Sequence, residues 1–200
     1  MEKIQDFITL FNVLWYRDFP LTVDWRKHYQ KTDWTIHIAV CVRSAADLLG
    51  YFTYFEAGRT DAVIKDGNER VVANVEWEWK QPHEDGFNEL EKLKRVRKNA
   101  DFSVLVTYSR NPNIKDIKKY HDLNMNRISE TWKCDETLLL FLVRYDWIPG
   151  RGYSGRRQFN MLETYSVQQG KCDLIRSQQA LPWKFPGTRW AKYEGGSNEG

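Results

Sequence analysis

The sequence has few features of a secreted or membrane-bound protein. It contains only three cysteines, widely spaced and without a Cys-x-x-Cys pair, so a zinc or iron–sulfur site built from cysteine is not expected. The first residues include acids and lack the basic start and small-residue cleavage site of a secretion signal. No apolar run approaches the eighteen or so residues of a membrane span. We therefore expect a cytoplasmic protein with reduced thiols and no membrane partner.

A strong excess of one charge is also absent. The net charge is only +3, which permits a local basic patch for a polyanion but does not require one. Hydrophobic residues form 42% and charged residues 28% of the chain, as in ordinary globular proteins. The aromatic share of 14%, with nine tryptophans, is high, and such residues either fill a core or stack on bases. The length of 200 residues predicts a single domain over 1–193 and a disordered tail over 194–200.

Hydrophobic periodicity predicts an α/β protein with a central mixed sheet flanked by helices and with extra C-terminal strands. Two near-continuous apolar runs, Asp101–Tyr108 and Thr137–Trp147, are typical of buried central strands. In the second helix we expect the buried side to carry Ile36, Val40, Ala45, Leu48 and Leu49. The predicted helices are 2–17, 34–49, 87–99 and 113–129, and the predicted strands are 51–56, 60–64, 70–80, 101–108, 137–147 and 159–167.

Charged residues alternate with tryptophans at the end of the predicted strand 70–80. Alternate side chains share one face of a strand, so Glu76, Glu78 and Lys80 lie on one face and Trp77 and Trp79 on the other, against the core. Two carboxylates and an ammonium make a poor structural surface. They make a good site for Mg²⁺ or Mn²⁺, because Mg²⁺ binds one or two carboxylates together with water and phosphate oxygens. Lys80 would then hold a water nucleophile or offset phosphate charge.

A further acid, Asp61, lies on the strand that precedes this one. If Ile64 is opposite Val71 across the turn at 66–68, then Asp61 is opposite Asn74 and shares the face of the acids. On a flat ladder Glu76 and Glu78 would lie about 7 Å and about 13 Å along the strand from this level. A bulge or a stronger twist would bring the more distant glutamate closer.

This hairpin resembles the core of the PD-(D/E)xK nuclease superfamily. Asp61 is followed after sixteen residues by Glu78-Trp79-Lys80, and the segment Gly58–Ile64 is similar to the second-strand motif of that superfamily, with Thr60 in place of its proline. The resemblance covers residues 34–108 and implies a restriction-endonuclease-like core, extended by residues 109–193. It implies that Asp61 and Glu78 bind the metal and that Lys80 serves the attacking water.

Two variations of this site remain open. Some members of the superfamily use an acid in place of the lysine, so Glu76-Trp77-Glu78 offers a second alignment, with Glu76 near the metal. Many members take another acid from the preceding helix or strand, where Asp47 and Glu56 are the candidates.

The resemblance implies hydrolysis of phosphodiester bonds, in DNA rather than RNA, by an endonuclease or an exonuclease. It leaves open whether two copies pair as a homodimer to cut both strands. One alternative is a non-catalytic nucleic-acid-binding or assembly module with the same fold. Another is a metal-dependent hydrolase of small nucleotides, and the simplest is a surface hairpin whose charges are merely solvated.

Basic residues in two places are candidates for phosphate contacts. Arg151, Arg156 and Arg157 lie in a glycine-rich connection, where backbone can approach a phosphate closely and arginine can bind it with two hydrogen bonds. Lys94 and Arg97 lie on the outward face of the helix 87–99, beside the acids. A flexible hairpin tip and a solvated helix face are the competing interpretations.

Overall fold

The computed structural model describes residues 2–17, 19, 31–110, 117–148 and 156–182. Its centre is a seven-stranded sheet in which the strands follow one another in chain order. The strands are β1 Phe52–Phe55, β2 Ala62–Lys65, β3 Val71–Trp77, β4 Phe102–Arg110, β5 Leu138–Ile148, β6 Arg156–Gln168 and β7 Lys171–Gln179. The helices are α1 Glu2–Arg17, α2 Lys31–Leu48, α3 Glu89–Val96, continued by a 3-10 turn over Arg97–Asn99, and α4 Ile117–Thr131.

The direction of the strands divides the sheet into three parts. Strands β1 to β3 form an antiparallel meander, and so do β5 to β7. Between them β3, β4 and β5 run parallel. Parallel neighbours need crossover connections, which α3 and α4 supply. The predicted α/β architecture, with a mixed sheet flanked by helices and extra C-terminal strands, is therefore confirmed.

Helices α1 and α2 cover one face of the sheet, called here the α1/α2 face. Their aromatic side chains form most of its core: the Phe11 ring lies 4.0 Å from that of Phe141, and the Trp34 ring 4.2 Å from that of Phe159. The indole N–H of Trp15 donates to the carbonyl of Ala180 at 2.8 Å, so its polar atom is satisfied within the core.

Helices α3 and α4 cover the opposite face, the α3/α4 face. Leu90 and Leu93 of α3 pack with Ile128 of α4 and with Trp132 directly after that helix in a second core cluster, together with Leu105 and other leucines of the central strands. Strand β4 is buried on both faces from Phe102 to Ser109, as its continuous apolar sequence predicts. No helix in the described part of the chain has the length and apolar content needed to cross a bilayer.

The predicted buried side of α2 is partly wrong. Ile36, Val40 and Leu48 are 57%, 40% and 61% exposed, whereas Ala45 is buried as expected. The side that faces the sheet instead begins at Trp34 and continues through Ile38, positions that are one helical turn apart. The bulky indole of Trp34 stacks on Trp15 of α1 at 5.7 Å and thereby sets the rotation of the helix.

Strand β7 is absent from the predicted elements. It lies at the edge of the sheet, and Leu174 and Ile175 are exposed, so its sequence lacks the alternation of a half-buried strand. The only local signal is the two-residue turn Gln169-Gly170. Both residues have positive φ, 49° and 77°, which is the geometry of a tight hairpin turn.

The predicted register of the β2–β3 hairpin is wrong by two residues. Ile64 is opposite Ala73, not Val71. One residue of the difference comes from the turn, which spans 66–70 and is held by hydrogen bonds from the backbone of Asn68 and Arg70 to the carboxylate of Asp66. The other is a β-bulge at residue 72. Because the shift is even, Asp61, Asn74 and Glu76 still share one face as predicted.

Candidate functional site

The corrected register brings two acids side by side. Ala62 is opposite Val75, and one more step along the ladder places Asp61 opposite Glu76. The Oδ2 atom of Asp61 accepts a hydrogen bond of 2.8 Å from the backbone N–H of Trp77, which fixes the aspartate against the end of β3. Directly opposite residues have their side chains on the same face, here the α3/α4 face. The acid pair is defined here as Asp61 and Glu76.

The acid pair lies in a poorly solvated place. Glu76 is fully buried, and burial together with the neighbouring charge of Asp61 raises its pKa to about 8. Burial also raises the pKa of Asp61, although the Trp77 N–H, the charge of Lys92 and a hydrogen bond from the protonated side chain of Glu76 partly offset this. The Oε1 atom of Glu76 has no hydrogen-bond partner in the described part of the chain. A buried carboxylate oxygen without a donor is costly, and it points to a proton or a cation at this position.

Lys92 of α3 supplies the positive charge beside the acid pair. Its Nζ lies 3.2 Å from Oε2 of Glu76 and 3.4 Å from Oε1 of Glu89, which is also buried. Partial burial lowers the pKa of Lys92, but the two carboxylates more than compensate, and the net shift is upward. Lys92 is therefore charged. It contacts the two buried acids while 41% of its side chain remains exposed to solvent.

The structure places Glu78 apart from this arrangement. Strand β3 ends at Trp77, and the Oε1 atom of Glu78 accepts hydrogen bonds from the backbone N–H groups of Trp79 and Lys80 at 2.6 and 3.0 Å. Glu78 lines a cavity with Thr35 and other residues of the α1/α2 face, together with Trp77 and Trp79. Both tryptophans are partly buried against that core, as expected. Of the alternatives, Glu76 rather than Glu78 is the glutamate beside Asp61.

Lys80 is likewise held elsewhere. Its Nζ donates to the carbonyl of Asp85 at 2.8 Å within its own loop. The loop is anchored to α4 by Asn124, whose Oδ1 accepts from the backbone N–H of His83 at 3.2 Å and lies 2.7 Å from His83 Nδ1. Asn124 is fully buried and also donates to Gln81 Oε1 at 3.2 Å. These contacts hold His83 in place, so its role here is structural.

The predicted phosphate contacts fall into two groups. Arg97 pairs with Glu136 at 3.0 Å, and Lys94 pairs with Glu91 at 3.5 Å, so both have partners within the protein. Arg151 lies outside the described residues. Arg156 and Arg157 begin β6, where their backbones pair with those of Ile148 and Trp147, and their side chains lie outside the described part.

The residues of the acid pair fit a divalent cation such as Mg²⁺. Their free oxygens are hard donors, and Glu76 Oε1 is buried without a partner. Within the described ranges no group of three or more His, Cys, Asp or Glu side chains is arranged to hold a metal ion. Two carboxylates are nevertheless the usual protein contribution to a Mg²⁺ site, because water and substrate phosphate supply the other ligands.

Glu89 is missing from the sequence-based predictions. The sequence predicts Lys92 only as one of several lysines and arginines on the outward face of the helix 87–99, available to phosphate or to solvent. A sequence signal exists in the spacing: Glu89 and Lys92 are three residues apart and lie next to each other on a helix. That spacing indicates an ion pair, but it does not indicate that the pair lies over Glu76.

The buried glutamate gives the protein a pH-dependent stability. The pKa of Glu76 is about 8 in the folded state against an ordinary value of 4.5, so between these values the folded state holds a proton that the unfolded state has lost. Stability therefore falls as the pH rises through this window, with a slope of up to about 1.4 kcal/mol per pH unit from this group. Glu76→Gln cannot ionise, and we expect it to remove this part of the slope.

Urea unfolding of the metal-free protein in EDTA, repeated at several pH values from 5 to 9, measures this effect. The variant should gain stability relative to wild type as the pH rises. Two curves that stay parallel over the whole range would show that Glu76 ionises in the folded protein at its ordinary pH.

Comparison with known proteins gives little beyond this geometry. No family model matches the chain, and no curated protein matches it. Among solved structures the fold is similar to the YaeQ protein from Xanthomonas axonopodis pv. citri, with 9% identity, a TM-score of 0.27, and coverage of 64% of this chain and 70% of that one. The YaeQ protein from Pseudomonas syringae gives 10% identity, a TM-score of 0.28, and coverage of 69% and 74%. At this level of similarity neither protein informs the chemistry of the acid pair.

Proposed function

We propose that this protein is a metal-dependent nuclease that hydrolyses phosphodiester bonds in DNA. The observation that carries the proposal is the acid pair: one carboxylate directly before β2 and one on β3, poorly solvated, with one buried oxygen lacking a partner in the described structure and a lysine ammonium beside them. Perturbed carboxyl groups of this kind are typical of functional sites. A solvated surface hairpin would have no reason to bury Glu76 completely.

Asp61 and Glu76 would hold the metal ion. When bound, such an ion polarises a phosphate oxygen and lowers the pKa of a coordinated water. The protein's part is to hold the carboxylate oxygens that bind the ion in fixed positions. The hydrogen bond from the Trp77 N–H does this for the carboxylate of Asp61. Binding a cation also requires Glu76 to lose its proton, and a positive ion favours that loss.

Lys92 would offset the negative charge that develops on the phosphate. It is charged, it is exposed on one side, and it contacts Glu76 directly. Lysine acts as a compact point charge on phosphate and on water. Glu89, on the other side of the ammonium, limits how far Lys92 can move away from the acid pair.

The resemblance to the PD-(D/E)xK superfamily supports this proposal in its second alignment. Asp61 is the first acid and Glu76 is the second. Glu78, which this alignment puts in place of the lysine, lies apart from the acid pair, and the positive charge comes from Lys92 of α3 instead. DNA as the substrate, a cytoplasmic location and a homodimer that cuts both strands belong to the same proposal and rest on that resemblance alone. None of the three cysteines forms a disulfide in the described structure, which is compatible with a reducing compartment.

Cleavage assays with supercoiled plasmid and single-stranded DNA test the proposal directly. We expect the purified protein to cut at least one of them in Mg²⁺ or Mn²⁺ and to be inactive in EDTA. Mononucleotides and dinucleotides serve as length controls, since a hydrolase of small nucleotides would prefer them. DNA binding without cleavage in either metal would instead favour the non-catalytic module.

A further inference from the structure

A groove lies beside the acid pair, on the same face of the sheet. It runs between strands β1 to β3 and the C-terminal end of α3, and its volume is about 310 Å³. This is at the lower end of the range of about 300–1,000 Å³ that is typical of small-molecule sites, so it has room for one nucleoside but not for a base pair. The residues that line it include Tyr54, Val63, Lys65, Asn74, Val96 and Asn99.

The groove is one step along the sheet from the acid pair. Tyr54, Val63 and Asn74 lie opposite one another on β1, β2 and β3, and the next position on this face belongs to Asp61 and Glu76. Positions two residues apart on a strand are separated by about 7 Å. This is comparable to the step between successive phosphates of an extended single strand.

Helix α3 follows the same direction as this step. Lys92 contacts Glu76, and four residues later the carbonyl of Val96 accepts a hydrogen bond of 3.4 Å from the side chain of Asn74. Residues four apart lie on one side of a helix. The helix therefore forms a wall that is shared by the acid pair and the groove, which is the arrangement needed for one strand to pass from one to the other.

The chemistry of the groove suits a nucleoside with its phosphate. The Tyr54 ring is 39% exposed, and the Nζ of Lys65 lies 4.9 Å from its centroid. An aromatic face binds any base by stacking, amides form hydrogen bonds with base edges, and an ammonium attracts phosphate. Both groups are now held by Glu69, which accepts from Lys65 at 2.8 Å and from the Tyr54 hydroxyl at 3.3 Å.

We propose that this groove binds the base of the nucleotide adjacent to the scissile phosphate, with Tyr54 stacking on that base. The inference rests on the proposed function and narrows its substrate. A base can stack on Tyr54 only when it is unpaired and removed from its neighbours, which costs least in single-stranded DNA or at a frayed end. The preferred substrate is therefore DNA that is single-stranded next to the cleavage position, rather than continuous duplex.

Binding in EDTA tests the groove without depending on cleavage. Fluorescence anisotropy of a labelled short oligothymidine is compared with that of a blunt hairpin duplex. Tyr54→Ala should weaken binding of the single strand about tenfold, as expected for the loss of one stacked base. Tyr54→Phe keeps the ring and should bind like wild type. The matched control is Phe55→Ala, which removes a similarly exposed aromatic (42%) from the other face of the same strand.

A fourth variant gives an effect of opposite sign. Glu69→Gln removes a negative charge and frees both Lys65 and Tyr54, so single-strand binding should strengthen. Equal binding by wild type and Tyr54→Ala, or equal losses in Tyr54→Ala and Phe55→Ala, would overturn the proposal. Tyr54-dependent binding by a protein that cuts nothing would support the groove while contradicting the nuclease. Cleavage by a protein whose DNA binding is unchanged by Tyr54→Ala would support the nuclease and contradict the proposed role of the groove.

Discussion

Asp61→Asn is expected to reduce metal-dependent DNA cleavage about a thousandfold, the size of loss typical when a group that stabilises a transition state electrostatically is removed. Asparagine has nearly the same shape, and its side-chain oxygen can still accept the hydrogen bond from the Trp77 N–H. What disappears is one of the two negative charges of the acid pair. The affinity for Mg²⁺ should fall together with the rate.

The same substitution should leave the fold intact and even stabilise it. The charge of Asp61 helps to raise the pKa of Glu76, so its removal lowers that pKa and reduces the free-energy cost of holding Glu76 protonated at neutral pH. Loss of activity with equal or higher stability distinguishes a functional residue from a structural one. Both properties are measured on the same preparations, by initial cleavage rates at several Mg²⁺ concentrations and by urea unfolding.

Asp173→Asn is the matched control for this change. Asp173 lies on the edge strand β7, is exposed, and pairs only with Lys171 among the contacts in the described structure. Surface substitutions of this kind usually have small effects, so cleavage should stay at the wild-type rate. If Asp61→Asn also cuts at the wild-type rate, the acid pair is a structural feature and the chemistry belongs to other residues.

Much of the fold follows from the sequence because its signals are local. The apolar run of β4 and the periodicity of α1 depend on neighbours in the chain, and both elements lie where they were predicted. The face that carries Asp61 and Glu76 also follows from strand parity, which an even shift of register preserves. Strand β7 could not be predicted for the opposite reason. It forms because it pairs with the edge of β6, and little in its own sequence favours a strand.

The composition of the site depends on long-range packing, and there the sequence alone is insufficient. The longer turn at 66–70 and the bulge at residue 72 together move Asp61 from the level of Asn74 to that of Glu76, and hydrophobicity marks neither of them. The end of β3 at Trp77 removes Glu78 and Lys80 from the strand on which the motif places them. Lys92 reaches Glu76 only because Leu90 and Leu93 pack α3 onto the sheet in one orientation.

The sequence motif predicts that Lys80 supplies the positive charge at the site, whereas the structure places Lys92 there. A pair of variants distinguishes the two residues. Lys92→Met should lower the cleavage rate about a hundredfold or more, because it removes the only described cation that contacts the acid pair. Lys80→Met should change the rate only a few-fold, since the Nζ of Lys80 donates to a backbone carbonyl in its own loop. Methionine keeps the length and the apolar stem of lysine in both variants, so the comparison isolates the charge.

The pH dependence of the same two variants distinguishes a chemical role of Lys92 from a structural one. Without Lys92 the buried carboxyl of Glu76 loses the charge that opposes its high pKa, so the pH at which cleavage reaches half its maximum should move upward. Lys80→Met should leave that pH unchanged. The reverse result, a large loss in Lys80→Met and a small one in Lys92→Met, would mean that the loop carrying Lys80 rearranges when DNA binds and that the Glu78-Trp79-Lys80 motif supplies the cation after all.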